Sequence, residues 1–362
     1  MAHFEEIGGN FPVVLGMNSE VVNSEDTADL NQYFSSGRSA ILATIMHSRA
    51  QGKKVALPYF TCHSVIEPFV RMGCEIKFYP IQKDLKVQED LIIQFCQVEQ
   101  PYLFFYHDYF GLNEELKWSK IFDVCSGQQL FVNDKTHSFF SASTHSSAHY
   151  TLMSIRKWGG ISEGGCLQIN GMKGLDIQYD IRPDNDFRME IYNKASELKR
   201  EFLQGDPSIN KEQFRSLFYQ SESFFDSETG IYPIRLEALQ QWRALLRSPF
   251  AQRRKLNLDL LVQGWNPDRE GWGIPIFMNN RDVVPLYFPI LLKIQRSLLQ
   301  SFLASHGVYA PIIWPKSILI TQEGDDIFYN QLLCIPIDQR YGEKDMSRIL
   351  SLFEAFDKMM KG

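Results

Sequence analysis

Short apolar segments alternate with segments of helical periodicity through the first half of the chain. Residues 103–106 (Leu-Phe-Phe-Tyr) and 130–132 (Leu-Phe-Val) are continuous apolar runs, typical of strands buried on both faces. Residues 39–46 instead carry apolar side chains at helical spacing, and residues 65–72 form a second such segment that ends at a glycine. This alternation predicts an α/β fold with a mostly parallel sheet.

The chain has 362 residues, enough for a large domain and a smaller one. We predict a large domain over residues 1–263 and a small C-terminal α+β domain over residues 264–362, where short strands, prolines and two helices follow one another. Within the large domain, the charged region 176–229 has a helical pattern and is interpreted as an insertion of helices outside the sheet. Residues 232–263 are predicted to form a long helical stretch.

Charge and cysteine usage limit the class of function. The formal net charge of −6 argues against general nucleic-acid binding, which requires a basic face. None of the six cysteines forms a Cys-x-x-Cys pair, no secretory signal precedes them, and no apolar run is long enough to span a bilayer. We therefore expect a reduced, soluble, cytoplasmic protein that binds neither nucleic acid nor membrane.

An acidic residue, Asp134, stands at the end of an apolar strand, and His137 follows three residues later. In open α/β sheets, ligands bind beyond the carboxyl ends of the strands. A carboxylate at that place can keep a pyridine nitrogen protonated, which makes the ring an electron sink. The alternative is that Asp134 only caps the next turn and that His137 is a satisfied polar residue.

A lysine, Lys157, lies between a strand and the glycine-rich segment 159–165. This placement suits a partly buried amine that acts as nucleophile and base in Schiff-base chemistry. Ser154, three residues earlier, could donate a hydrogen bond to a phosphate. The alternative is an ordinary surface lysine in a loop, which the flanking Trp158 and the glycine pairs disfavour.

A third candidate is the predicted helix start at residues 36–39 (Ser-Gly-Arg-Ser). Backbone N–H groups at a helix N-terminus point towards an anion, and the glycine allows close approach of the backbone. Taken alone, the segment is better interpreted as an ordinary helix cap.

Two rival motifs are weaker. His145 and His149 have the spacing of helical metal ligands, but no third ligand stands out nearby and the segment has the composition of a loop, so no metal site is predicted. The glycines of residues 159–165 lack the Gly-x-Gly-x-x-Gly spacing of dinucleotide-binding proteins.

Taken in order, these segments resemble the DegT/DnrJ/EryC1 family, the sugar aminotransferase-like branch of the fold-type-I enzymes that use pyridoxal 5'-phosphate (PLP). The similar segments are 36–41 (the family's Ser-Gly-Thr-x-Ala-Leu), 58–61 (Pro-x-Phe-Thr), 106–111 (Val-His-Leu-Phe-Gly), Asp134 with His137 (Glu-Asp-Ala-Ala-His), Lys157 with 163–165 (Lys-x5-Glu-Gly-Gly), and the small-domain segments 285–290, 306–308 and 314–315. The resemblance covers nearly the whole chain except region 176–229 and the N-terminus.

Four positions depart from the family pattern. They are Arg38 for the threonine of the phosphate loop, Leu152 for the serine five residues before the lysine, Pro233 for an asparagine that reaches the neighbouring subunit's phosphate, and Cys62 for the aromatic residue that stacks on the cofactor ring. These departures place the sugar substrate in question more than the cofactor.

The resemblance implies a fold-type-I architecture and a role for each site residue. Lys157 would hold PLP as a Schiff base and Asp134 would meet the pyridine nitrogen, with His137 beside the ring. The phosphate would be bound by Gly37, Arg38, Ser39 and Ser154. Phe60 or His63 would replace the ring-stacking residue that Cys62 cannot supply.

The resemblance also implies an activity, namely transfer of an amino group from an amino acid such as glutamate to a keto-sugar nucleotide. Such a reaction serves polysaccharide or secondary-metabolite biosynthesis, in a homodimer with active sites at the interface. Two alternatives stay open: a PLP enzyme that acts on a non-sugar substrate, and a non-catalytic binding protein that keeps the fold.

Overall fold

The computed structural model describes residues 6–12, 33–86, 88–112, 118–125, 129–141, 148–170, 177–183, 185–276 and 283–361. The strands in these ranges are β1 (Ile7–Gly8), β2 (Tyr33–Phe34), β3 (Lys54–Pro58), β4 (Glu75–Tyr79), β5 (Leu103–His107), β6 (Leu130–Asp134), β7 (Tyr150–Met153), β8 (Gly165–Ile169), β9 (Gly273–Pro275), β10 (Phe288–Leu292), β11 (Val308–Tyr309) and β12 (Leu332–Ile335).

The helices in the same ranges are α1 (Gly37–Ser48), α2 (His63–Arg71), α3 (Glu89–Glu99), α4 (Trp118–Cys125), α5 (Arg188–Leu203), α6 (Lys211–Asp226), α7 (Leu236–Arg247), α8 (Phe250–Gln263), α9 (Arg296–Ser305), α10 (Ile327–Gln331) and α11 (Glu343–Lys361). The two N-terminal helices match the segments of helical periodicity that the sequence analysis identified.

A central sheet of seven described strands has the order β2-β8-β7-β6-β5-β3-β4. Five adjacent strands, β7, β6, β5, β3 and β4, run parallel to one another. Strand β8 is antiparallel to β7 and to β2. Every residue of β5 is buried, as its continuous apolar run predicts for a strand covered on both faces. The predicted α/β fold with a mostly parallel sheet is therefore confirmed.

The C-terminal part contains a second, antiparallel sheet of described strands in the order β12-β10-β9. Helix α8 packs against α11 beside this sheet. The N-terminal strand β1 joins the same part of the chain, because Ile7 pairs in parallel with Val308. The domain boundary at residue 264 stays a prediction.

The helical stretch predicted over residues 232–263 is divided into α7 and α8. Ser248 has extended backbone angles and Pro249 precedes the first turn of α8. Proline disfavours helical angles in the residue before it and has no N–H for the helix ladder, so the break follows from the sequence. Among the described helices, none has the length and apolar character required to cross a membrane.

Candidate active site

The site lies where several parallel strands end together. Strand β5 ends at His107 and β6 ends at Asp134, and these two residues stand opposite each other in the register of the sheet. Asp134 also pairs with Leu152 of β7, the strand that leads to Lys157. The carboxyl edge of a parallel sheet is where α/β proteins bind ligands, so the fold brings these side chains to a suitable place.

Asp134 is buried and ionised. One carboxylate oxygen, Oδ2, lies 3.0 Å from His107 Nδ1, and Oδ1 accepts a 2.9 Å hydrogen bond from the N–H of Thr136. Burial alone would raise the pKa of Asp134, but the hydrogen bond and charge of His107, followed by the bonds from Thr136, lower it to about 2. The site therefore contains a carboxylate that stays negatively charged at neutral pH.

His107 is a site residue that the sequence reasoning missed. Its Nε2 lies 2.7 Å from the hydroxyl of Thr61, so the imidazole is held from both sides. A signal was present, because His107 is a polar residue at the end of an apolar strand, the same pattern that drew attention to Asp134.

Lys157 follows β7 in a short turn and faces a cavity. Its amine makes no hydrogen bond or ion pair with the residues that the structure describes. The turn relies on glycine, since Gly164 has a φ of +144° and a Cβ there would lie 2.4 Å from Ile155 Cγ1. A Cβ on Gly165 would lie 2.1 Å from the carbonyl oxygen of Ser36, so this glycine lets β8 approach the start of α1.

One cavity brings together five of the predicted site residues: Gly37, Arg38, Asp134, Ser154 and Lys157. The remaining described lining includes Ser36, Cys62, Ser64, Thr136, Arg156, Phe225 and Trp314. Ser36 caps α1 and accepts a hydrogen bond from the N–H of Ser39, so the helix N-terminus opens on this cavity.

Four predicted cofactor residues are not in the described lining of this cavity: Ser39, His63, Phe60 and His137. The Ser39 hydroxyl accepts a 2.9 Å bond from the N–H of Tyr232 and so holds the segment after Gly230 against α1. His63 instead bonds the hydroxyl of Ser317 through Nδ1, at 2.8 Å. The predicted cofactor-binding roles of Ser39 and His63 stay predictions, and the polar groups of both side chains make packing contacts here.

Phe60 is another of these four residues. It is buried in an aromatic cluster, with ring centroids 4.9 Å from Trp314, 5.0 Å from Tyr329 and 5.1 Å from Phe328. Aromatic rings at these distances stabilise one another. Phe60 therefore supports Trp314 from behind, and Trp314 is the ring of this pair that reaches the cavity.

His137 lies between two aromatic rings. Its centroid is 4.6 Å from Phe110 and 4.8 Å from Trp314, in stacked orientations. Burial, followed by the positive charges of Lys157 and His107, keeps the pKa of His137 well below its usual value, although Asp134 opposes this. The imidazole is therefore neutral at neutral pH, and its Nδ1 has no hydrogen-bond partner among the described residues.

A second cavity of about 310 Å³ adjoins the first. The two share Arg156, Lys157 and Trp314 in their described lining. Trp314 and Arg156 are further residues that the sequence reasoning did not assign to the site. The second cavity is also lined by the charged side chains of Glu222, Arg254, Asp338 and Arg340 and by His137.

Helix α6, within the region predicted as a helical insertion, contributes to both cavities. Phe225 lines the first and Glu222 lines the second. Helices α5 and α6 pack against each other outside the central sheet. The interpretation of region 176–229 as an insertion is untested, but its helices reach the site, and no sequence signal indicated that contact.

A buried ion network holds the turn that follows Lys157. Glu163 is fully buried and accepts hydrogen bonds from Arg182 at 2.8 Å, Arg188 at 2.7 Å and Arg235 at 2.9 Å. A buried carboxylate is tolerated only when charged groups surround it, and three guanidinium groups do so here. The network ties the turn after Lys157 to α5 and to the start of α7.

Comparisons with known proteins identify the fold. The sequence matches no protein-family model and no curated protein. Similar solved structures include Spr1654 of Streptococcus pneumoniae in its PMP form, with a TM-score of 0.63, 15% identity and coverage of 98% of this chain and 94% of that chain. A DegT DnrJ EryC1 StrS aminotransferase from Brucella abortus has a TM-score of 0.62 at 14% identity, with coverage of 95% of this chain and 91% of that chain.

PseC of Helicobacter pylori, an aminotransferase involved in the biosynthesis of pseudoaminic acid, gives a TM-score of 0.63 at 14% identity, with coverage of 90% of this chain and 86% of that one. At such identities the similarity establishes architecture. The chain has the fold of the fold-type-I PLP-dependent aminotransferases, as the sequence analysis predicted.

Proposed function

We propose that this protein is a PLP-dependent aminotransferase of the DegT/DnrJ/EryC1 type. The observation that carries the proposal is the convergence of Lys157, Asp134 and the N-terminus of α1 on one cavity at the carboxyl edge of the parallel sheet. An unpaired amine, an ionised carboxylate and an anion-binding helix end are the three groups that PLP requires.

The phosphate end of the cavity fits the cofactor. Gly37 begins α1, and a Cβ there would lie 3.5 Å from Ser154 Cβ, so the missing side chain leaves room in front of the Ser154 hydroxyl. Arg38 supplies a guanidinium group to the same lining. We propose that Gly37, Arg38 and Ser154 hold the phosphate.

The ring end fits as well. The low pKa of Asp134, about 2, gives a carboxylate able to keep a pyridine nitrogen protonated. When bound, PLP supplies an electrophilic carbonyl and a ring that accepts electrons. Lys157 would supply the amine that holds this carbonyl, and the same amine would move a proton to and from the substrate's reacting carbon. Trp314 would cover one side of the site.

The second cavity is proposed to take the substrate. It adjoins Lys157, and its wall carries charged side chains of both signs, which suits a polar substrate. We propose glutamate as amino donor and a keto-sugar nucleotide as acceptor, in polysaccharide or secondary-metabolite biosynthesis. We further propose a cytoplasmic homodimer, on the strength of the family resemblance.

An absorbance spectrum of purified protein with added PLP tests the proposal. Wild type should develop a visible band of bound cofactor, and this band should decay when L-glutamate is added. Lys157→Ala should give an altered band that glutamate does not bleach, while Lys83→Ala, at an exposed lysine, should match wild type. A wild-type protein that takes up no PLP would overturn the proposed function and favour the non-catalytic binding protein.

A further inference from the structure

Helix α6 places two carboxylates on the two guanidinium groups that line the first cavity. Glu222 accepts bonds from both terminal nitrogens of Arg156, at 2.6 and 2.7 Å. Asp226 accepts a 2.6 Å bond from Arg38. Glu222 and Asp226 are four residues apart and therefore lie on one face of α6.

The same helix contributes an aromatic residue to the wall of the cavity. Phe225 is part of the lining, and the Arg156 guanidinium lies 4.2 Å from its ring centroid. An anion that binds at Arg156 or Arg38 therefore meets a guanidinium group that already has a carboxylate partner.

Burial would raise the pKa of Glu222, but the charges of Arg156, Lys157 and Arg38 lower it. The group is thus ionised at neutral pH. A third carboxylate, Glu228, is buried and accepts hydrogen bonds from the hydroxyls of Ser35 and Ser36, so it is engaged by partners other than Arg156 and Arg38.

We infer that Glu222 and Asp226 are selectivity residues, which make the anion site accept a phosphate monoester and reject a simple carboxylate. The inference rests on the proposed function, since it concerns the same site. A carboxylate ligand would offer Arg156 two acceptor oxygens and one negative charge, which Glu222 already provides. Glu222 is also held in place by its helix. A phosphate dianion carries more charge and three acceptor oxygens, so it can bond Arg38, Arg156 and the N–H groups of α1 together.

Isothermal titration of the cofactor-free protein with inorganic phosphate and with acetate tests this selectivity. Wild type should bind phosphate and show no measurable affinity for acetate. Glu222→Gln should bind phosphate about three- to tenfold more tightly and should gain measurable affinity for acetate. Asp226→Asn should tighten phosphate binding by only about twofold. The effect is smaller because Asp226 is 71% exposed and solvent screens its charge.

The matched control is Glu212→Gln, which removes a carboxylate from the first turn of α6 at a position 74% exposed and paired only with Arg215 in the described contacts. It should behave as wild type. The inference is overturned if Glu222→Gln and Glu212→Gln bind both anions alike, or if wild type binds acetate as well as phosphate.

Adding PLP to the same proteins separates this inference from the proposed function. A wild type that develops the cofactor band, together with a Glu222→Gln variant of unchanged anion selectivity, would overturn the inference alone. Selective phosphate binding without uptake of PLP would overturn the proposed function and leave the selectivity role of α6 in place.

Discussion

Replacing Asp134 by asparagine should destabilise the protein even without cofactor. The substitution keeps the shape of the side chain but removes the charge that faces His107 at 3.0 Å. It also weakens the acceptor of the Thr136 N–H bond. The side chain is buried, so solvent provides little compensation.

The magnitude follows from the lowered pKa. A change from 3.8 to about 2 corresponds to about 2 kcal/mol of stability at neutral pH, given about 1.4 kcal/mol for each tenfold change in a binding constant. An unfolding entropy of about 2.1 cal/mol/K per residue gives roughly 0.8 kcal/mol/K for a chain of this length. The expected loss in Tm is therefore roughly 3 °C.

The pH dependence provides the sharper assay. The folded pKa lies below the unfolded value, so the stabilisation is present above about pH 4 and is lost as the pH falls towards 2. Calorimetric Tm values of wild type and Asp134→Asn should differ by roughly 3 °C at pH 7 and by about half of that at pH 3. Contributions from other carboxylates cancel in the difference.

Two results would refute this reasoning. One is a Tm difference at pH 7 no larger than that of the control Asp90→Asn, whose side chain is 95% exposed. The other is a difference that does not shrink at pH 3. A double variant that also carries His107→Gln should lose little beyond the larger of the two single losses, because the two side chains share one interaction.

Three further outcomes are expected for the cofactor-free protein. Trp314→Ala, which empties a buried aromatic site, should lower the unfolding free energy by about 3–5 kcal/mol in denaturant titration, and a loss below about 1 kcal/mol would show that the stack around His137 is not tightly packed. Glu163→Gln should lower the unfolding free energy by about 3–5 kcal/mol, because three arginines lose their shared carboxylate. The unfolding free energy of Glu212→Gln should stay within about 0.5 kcal/mol of wild type. The pKa of His137 is lower in the folded protein than in the unfolded chain, so wild type should lose stability as the pH falls below 6.5, by up to about 1.4 kcal/mol per pH unit. His137→Gln should lack this slope when Tm is measured between about pH 7.5 and 5.

Much of the architecture follows from local sequence patterns. The apolar run at residues 103–106 is typical of a strand covered on both faces, and a chain of such strands with intervening helices forms a parallel sheet. The sheet's carboxyl edge then places Asp134 and the segment before Lys157 together. For this reason the principal candidates could be named from the sequence, and His107 could have been named by the same reasoning.

Other parts of the site depend on contacts between distant segments. Phe60 and Ser39 carry suitable chemistry, but packing against Trp314 and Tyr232 directs their side chains to other partners. Trp314 and Glu222 come from segments far along the chain from Lys157. Periodicity and motif spacing report only which face of an element is buried, so they cannot indicate which distant side chain meets it.

The sequence by itself therefore determined the α/β class, the parallel sheet and the chemical groups at its carboxyl edge, because these depend on local hydrophobic periodicity and strand ends. Tertiary structure alone decided that Trp314 stacks on His137 and that α6 places Glu222 and Asp226 on the guanidinium groups of Arg156 and Arg38. Such contacts arise from how whole helices pack, and packing geometry is a property of the assembled fold rather than of any one segment.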